Sequence, residues 1–130
     1  MEVSMSNQDC VFCNIPDERV LKRYKYFFVI EDAFPVTKMH TLIISNRHVS
    51  DYFDLSESEK AELPAILGEL KSNLESRDKN ISAYNIGINV GQDAGQTVMH
   101  FHQHFIPRRR GDTKNPRGGV RGVIAEKQKY

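Results

Sequence analysis

The stretch Val98-Met99-His100-Phe101-His102-Gln103-His104-Phe105-Ile106 decides how this chain is read. It holds three of the five histidines, at alternate positions. Successive side chains of a strand point to opposite faces, so a strand puts all three imidazoles on one face, about 7 Å from each to the next. A helix would scatter them. Near neutral pH an imidazole acts as nucleophile, proton carrier or metal ligand. A row of three therefore suits covalent or acid-base chemistry, or a metal. The alternative is a solvated strand face that merely holds histidines.

Upstream runs Asn89-Val90-Gly91-Gln92-Asp93-Ala94-Gly95-Gln96-Thr97. Two glycines in a short polar loop let backbone N–H groups approach an anion, and Asn, Gln and Thr add neutral donors. Such loops also make ordinary turns, so the loop alone says little. Joined to His100-Phe101-His102-Gln103-His104-Phe105-Ile106, it resembles the histidine triad family, whose signature is His-x-His-x-His followed by two apolar residues. Ala94-Gly95-Gln96-Thr97-Val98 and Pro107-Arg108 are similar to the fragile histidine triad branch in particular. The resemblance extends back to about Cys10.

At 130 residues the chain fits one domain over 1–130, long enough for its own core. No run of about 18 apolar residues exists to span a membrane. Residues 1–9 are polar and lack the apolar stretch of a signal peptide, so the cytoplasm is the expected location. The net charge of +1 is unevenly spread: from Arg108 onward, eight Lys/Arg face two Asp/Glu. A basic tail beside the histidine strand suits a polyphosphate or nucleic-acid ligand. For its outermost residues a solvated, partly disordered tail is expected instead.

Tyr26-Phe27-Phe28-Val29-Ile30 and Thr41-Leu42-Ile43-Ile44 read as strands. Ser56 and Glu59 form a capping box, after which Leu63, Ile66, Leu67, Leu70 and Leu74 follow helical spacing. Pro64 removes one backbone bond and predicts a kink or irregular first turns. Residues 81–89 read as a third strand, with Tyr84, Ile86 and Ile88 on one face, and His100 to Ile106 as a fourth. This pattern predicts an α+β fold, an antiparallel sheet packed on one main helix. The resemblance implies a sheet of about five strands in the histidine triad fold, and a homodimer in which two sheets join.

Cys10 and Cys13 are the only cysteines. Read alone, the Cys-x-x-Cys pair leaves three alternatives. A redox pair normally sits in a βαβ context, which is absent. Two structural cysteines do not explain the spacing. A zinc clip needs two more ligands, for which His48 and His100 are candidates. The family carries such a site in some bacterial members and in the related galactose-phosphate uridylyltransferases. The resemblance thus implies structural zinc on Cys10, Cys13, His48 and His100. His48 is otherwise a surface histidine.

The resemblance also implies a nucleotide site. A histidine matching His40 lies near the catalytic histidine and the phosphate. An acidic residue matching Asp32 binds the ribose hydroxyls, a role two acceptor oxygens suit. Its neighbours, here Ala33 and Phe34, cover the base. The bland alternatives are a strand-end histidine and a turn-forming aspartate.

A phosphoanhydride is anionic and kinetically inert. A neutral imidazole attacks its α-phosphorus without adding negative charge, giving a nucleotidyl-histidine that water hydrolyses. The middle histidine has an imidazole on each side, and the family gives the nucleophile's role to the position matching His102. His104, Gln96, Thr97, Asn89 and the Gly95 turn would hold the phosphate oxygens, with His100 and His40 completing the set. Neighbouring imidazoles, or zinc on His100, would keep His102 neutral.

The expectation is hydrolysis at the α-phosphate of a dinucleoside polyphosphate or nucleoside phosphoramidate. The complete triad favours hydrolases over the transferase branch, whose third position is glutamine. The expected partners are a nucleotide substrate and a second copy of the chain, not a membrane or nucleic acid. The competing classes are a nucleotide-binding sensor or scaffold with negligible turnover, and a nucleic-acid end-processing module suggested by Arg108, Arg109 and Arg110.

Overall fold

In a computed structural model residues 8–130 are described, so most of the polar segment 1–9 lies outside the described residues. Five strands form one antiparallel sheet: β1 (Val20–Arg23), β2 (Phe27–Glu31), β3 (Thr41–Ser45), β4 (Ile81–Gly87) and β5 (His102–Arg109). Their spatial order is β1-β2-β3-β5-β4. Among the described residues one long helix, α1 (Glu57–Arg77), connects β3 to β4.

The central strands are buried on both faces, which explains their unbroken apolar runs. Phe27, Val29 and Ile43 join Phe101, Phe105 and the α1 residues Leu63, Ile66, Leu70 and Leu74 in one core. Phe28, Ile30, Leu42 and Ile44 form a second cluster on the opposite face, packed against Phe12, Ile15 and Val20. The α1 stripe is thus the one its spacing predicts. Truncating a side chain as fully buried as Ile66 to alanine costs about 2–5 kcal/mol.

The α1 cap is also as read: Ser56 accepts from the Glu59 N–H, and the Glu59 carboxylate accepts from the Ser56 N–H. Buried Glu59 further accepts two bonds from the Arg47 guanidinium, at 2.8 and 2.9 Å. That fork compensates a carboxylate otherwise costly to bury and keeps its pKa low. The helix runs unbroken through exposed Pro64. The proline forfeits one α1 hydrogen bond on the exposed side of the helix.

The structure moves several boundaries. β1 is the quartet Val20-Leu21-Lys22-Arg23, mostly exposed and too short and polar to mark itself. β4 ends at Gly87, before Ile88 and Asn89. Tyr84 and Ile88 pack on the core as expected, while Ile86 is 44% exposed. β5 begins at His102 rather than His100 and continues through Pro107 to Arg109. The C-terminal segment is ordered beyond the strand. It forms two 3-10 turns, Gly119–Val123 and Ala125–Lys127, and closes on itself through Gln128, whose amide donates to the Arg117 carbonyl. Arg117 and Arg121 both stack on the Tyr130 ring. Among the described residues no helix is long and apolar enough to cross a membrane.

Candidate functional site

Five histidines divide into two neighbouring clusters. In the first, His100 sits one residue before the Phe101 that anchors the strand to the core. Its Nε2 lies 2.8 Å from the Ser45 carbonyl. A carbonyl only accepts, so Nε2 carries the proton and Nδ1 keeps a lone pair. That Nδ1 lies 3.3 Å from Cys10 Sγ, 3.5 Å from Cys13 Sγ and 3.2 Å from His48 Nδ1. Cys13 Sγ is 3.1 Å from His48 Nδ1. The edges of a zinc tetrahedron with two sulfur and two nitrogen ligands are about 3.3–3.8 Å, from bond lengths near 2.0–2.3 Å. The four atoms are therefore placed to hold one metal ion. His100 is 1% exposed, and burial keeps its ring neutral, the form that ligates. Its bond to Ser45 fixes the ring's orientation.

The second cluster lines a cavity of about 470 Å³ on the sheet face that bears His102 and His104. His102 Nδ1 lies 2.8 Å from the carbonyl of His100. By the same reasoning Nδ1 carries the proton and Nε2 is left as the basic nitrogen. His40 is 2% exposed and inverts this pattern. The Val36 N–H donates to its Nδ1 at 3.0 Å, so the neutral ring carries its proton on Nε2. That Nε2–H lies 2.9 Å from His104 Nδ1, which therefore accepts and leaves a proton on His104 Nε2. Burial, then the charges of His102 and His40, lower the His104 pKa to about 4. Burial lowers that of His40 as well, against the pull of Asp32. The site thus holds one basic nitrogen on His102 beside a neutral donor on His104, with the ring centroids 5.5 Å apart.

Asp32, Ala33, Phe34, Asn89, Gly95 and Thr97 line the same cavity, so the structure brings these expected residues together. Asp32 Oδ1 accepts from the Phe34 N–H, which fixes the turn that leaves Phe34 88% exposed at the rim. Asp32 Oδ2 lies 3.5 Å from His40 Nε2. Asp32, His40 and His104 resemble a metal triad in their spacing. Because Val36 already occupies the Nδ1 lone pair of His40, its Nε2 is protonated and is no ligand in this arrangement.

One expectation needs correction. Gln96 is 3% exposed and its amide is committed to the loop. Its oxygen accepts from the Gly91 N–H, and its nitrogen donates to the carbonyls of Ser50 and Val98. It braces the loop instead of facing the cavity. Gly91 and Gly95 sit at φ +92° and +99°, so the turn between them requires glycine. The row of three also splits. His102 and His104 share the cavity, while His100 turns toward the cysteines.

Sequence reasoning missed other parts. Phe12 packs its ring edge on His102, with centroids 4.9 Å apart, and lines the cavity with Val11 and Ile15. Its place inside the Cys-x-x-Cys was the available signal. Met39, at φ +73°, turns the chain immediately before His40. A non-glycine residue in that region costs roughly 1–2 kcal/mol. The carbonyl of Ser45 and the N–H of Val36 are main-chain groups and leave no trace in a sequence. Two of the three consecutive arginines are already committed, Arg108 to Asp112 and Arg109 to Asp78.

The HIT domain profile matches residues 14–111. An uncharacterized 16.1 kDa HIT-like protein of Mycoplasma pneumoniae is 33% identical over 110 residues, 81% of this chain and 75% of its own length. The asymmetrical bis(5'-nucleosyl)-tetraphosphatase of Schizosaccharomyces pombe is 37% identical over 94 residues, 72% of this chain and 51% of its own. A zinc-bound histidine triad family protein of Mycobacterium smegmatis, solved by crystallography, superposes with a TM-score of 0.74 at 32% identity, over 84% of this chain and 81% of that one. With the five-stranded sheet, the one main helix and the divided histidine row, these likenesses show that the chain belongs to the HIT domain family.

Proposed function

We propose that this protein is a nucleotide hydrolase, cleaving at the α-phosphate of dinucleoside polyphosphates or nucleoside phosphoramidates through a nucleotidyl-histidine on His102. The observation that carries this reading is the His102 ring. Its Nδ1–H is held on the His100 carbonyl, which leaves the Nε2 lone pair on a ring that lines the cavity. The S. pombe relative, named as a tetraphosphatase, supports the substrate class.

Nε2 forms a bond to the α-phosphorus as the bond from phosphorus to the leaving group breaks. The leaving group departs with that electron pair. The His102 ring becomes an imidazolium, and its Nδ1–H strengthens the bond to the His100 carbonyl, which opposes the new charge. His104 Nε2–H donates to a phosphate oxygen, and Thr97, Asn89 and the Gly95 turn hold the others. Water then attacks phosphorus as the N–P bond breaks and loses one proton to solvent, giving a nucleoside monophosphate and a neutral His102 that keeps its Nδ1–H. Asp32 takes the ribose hydroxyls, and Phe34 with Ala33 covers the base.

Cys10, Cys13, His48 and His100 would hold zinc, and the zinc-bound M. smegmatis neighbour supports this. With four protein ligands such a metal would be structural. Cys10 and Cys13 would then tie the N-terminal arm to the strand and keep Phe12 against His102. The protein acts as a cytoplasmic homodimer, which also covers a sheet edge. Light scattering should return twice 14.9 kDa.

The test is hydrolysis of diadenosine triphosphate in 18O-water. The label should enter the nucleoside monophosphate and be absent from the leaving diphosphate. Label in the diphosphate would overturn attack at the α-phosphorus. Binding without turnover would make the protein a nucleotide sensor.

A further inference from the structure

A second cavity, of about 660 Å³, opens on the same face of the sheet. Four residues, Val36, His40, Asn89 and His104, line both cavities, whereas His102 lines only the first. The far wall of the second is the C-terminal segment folded back over β4 and β5, with Val120, Val123 and Gln128 facing Ile86, Ile106 and Asn85. Nothing in the histidine chemistry uses this space.

Resting on the hydrolase reading, we propose that the second cavity, walled by the C-terminal segment, binds the nucleoside of the leaving group. In-line displacement sets the nucleophile and the leaving oxygen on opposite sides of phosphorus. An α-phosphate beside His102 and His104 therefore sends its leaving phosphates past His104, away from His102. The second cavity begins there.

The lining fits a nucleoside better than a phosphate chain. The Arg108 guanidinium is forked onto Asp112 and bonded to Asn85, so the pair brings no net charge. Around it stand apolar side chains for a base, with the Asn85 amide nitrogen, the Gln128 amide oxygen and the Thr113 hydroxyl for ribose and ring edges. Its size lies within the range of small-molecule sites.

The wall is an ordered feature of the fold. A Cβ on Gly118 would fall 1.7 Å from the Gln128 carbonyl oxygen, and Gly118 sits at φ +92°. Only glycine lets the segment return there. The basic composition of the tail thus belongs to a folded element, not to a loose arm.

The experiment compares two substrates that share the attacked phosphorus. Diadenosine triphosphate carries a nucleoside in its leaving group, and adenosine 5'-phosphoramidate releases only ammonia. Val120→Trp fills the cavity, and Gly118→Ala displaces its wall. Each variant should lower kcat/KM for diadenosine triphosphate by tenfold or more and change that for the phosphoramidate less than twofold. An equal fall for both substrates, or no fall for either, would overturn the subsite. So would a changed mass of the Val120→Trp protein by light scattering, which would make the wall an interface between copies.

A calorimetric arm does not depend on turnover. In His102→Ala protein, Val120→Trp should weaken binding of diadenosine triphosphate and leave that of adenosine monophosphate unchanged. Equal weakening of both overturns the subsite. A wild-type protein that binds both ligands but hydrolyses neither substrate sinks the hydrolase reading instead.

Discussion

His100 and His102 stand two residues apart on one stretch of chain, yet they belong to different chemistries. What separates them is the partner of the ring nitrogen not used. His100 gives its Nε2–H to the Ser45 carbonyl and turns Nδ1 toward two thiols and His48. His102 gives its Nδ1–H to the His100 carbonyl and keeps Nε2 for the cavity. A single backbone acceptor thus assigns each imidazole its job, because a neutral ring carries one proton and one lone pair. His40 extends the rule: the Val36 N–H takes its lone pair and makes it a donor to His104.

The comparison breaks most visibly at His102. Replacement by alanine should cut turnover of diadenosine triphosphate by roughly 10⁴-fold or more, as expected when a nucleophile is lost. Zinc content and nucleotide binding should persist. An active His102→Ala protein would abolish the distinction between the two clusters.

Cys10→Ser tests the other side. Metal analysis should show about one zinc per wild-type chain and a fraction of that in the variant. The thermal midpoint should drop, since zinc at a thousandfold excess over its dissociation constant contributes about 4 kcal/mol. Activity should fall less than in His102→Ala, through loosening of Phe12. A metal-free wild-type protein with freely reactive Cys10 and Cys13 would refute the site.

Acid sharpens the contrast. His104 has a native pKa of about 4 against an ordinary 6.5, lowered mainly by burial. The unfolded chain therefore binds the extra proton first as pH falls. This contribution to stability is complete above pH 6.5 and is lost progressively toward pH 4. Urea unfolding midpoints should fall over that window, and His104→Gln should flatten the fall. An unchanged slope in the variant would remove His104 as the cause.

Gln96→Ala should have the smallest effect. It removes the amide that ties Gly91 to Ser50 and Val98, costing about 1–3 kcal/mol. KM should rise modestly while zinc content stays constant. A loss of kcat without a stability change would return Gln96 to direct phosphate contact.

The alternation of His100, His102 and His104, the capping box at Ser56 and Glu59, and the apolar stripe of α1 are local patterns. Periodicity determines which way such side chains point, so the sequence by itself determined the α+β class, the helix and the placement of His102 and His104. Cys10, Cys13 and His48 were legible as a group through the family resemblance. Only the tertiary structure decided the rest. β1 is held by its pairing to β2 and not by its own composition. Gln96 turned inward because Ser50 and the loop offered its amide three partners. The tail became a wall because Gly118 allows close return against Gln128. Above all, the ring protons were set by the Ser45 and His100 carbonyls and the Val36 N–H. Every residue carries such a carbonyl and every residue but proline such an N–H, so their influence arises only when the fold brings a particular one to a particular ring.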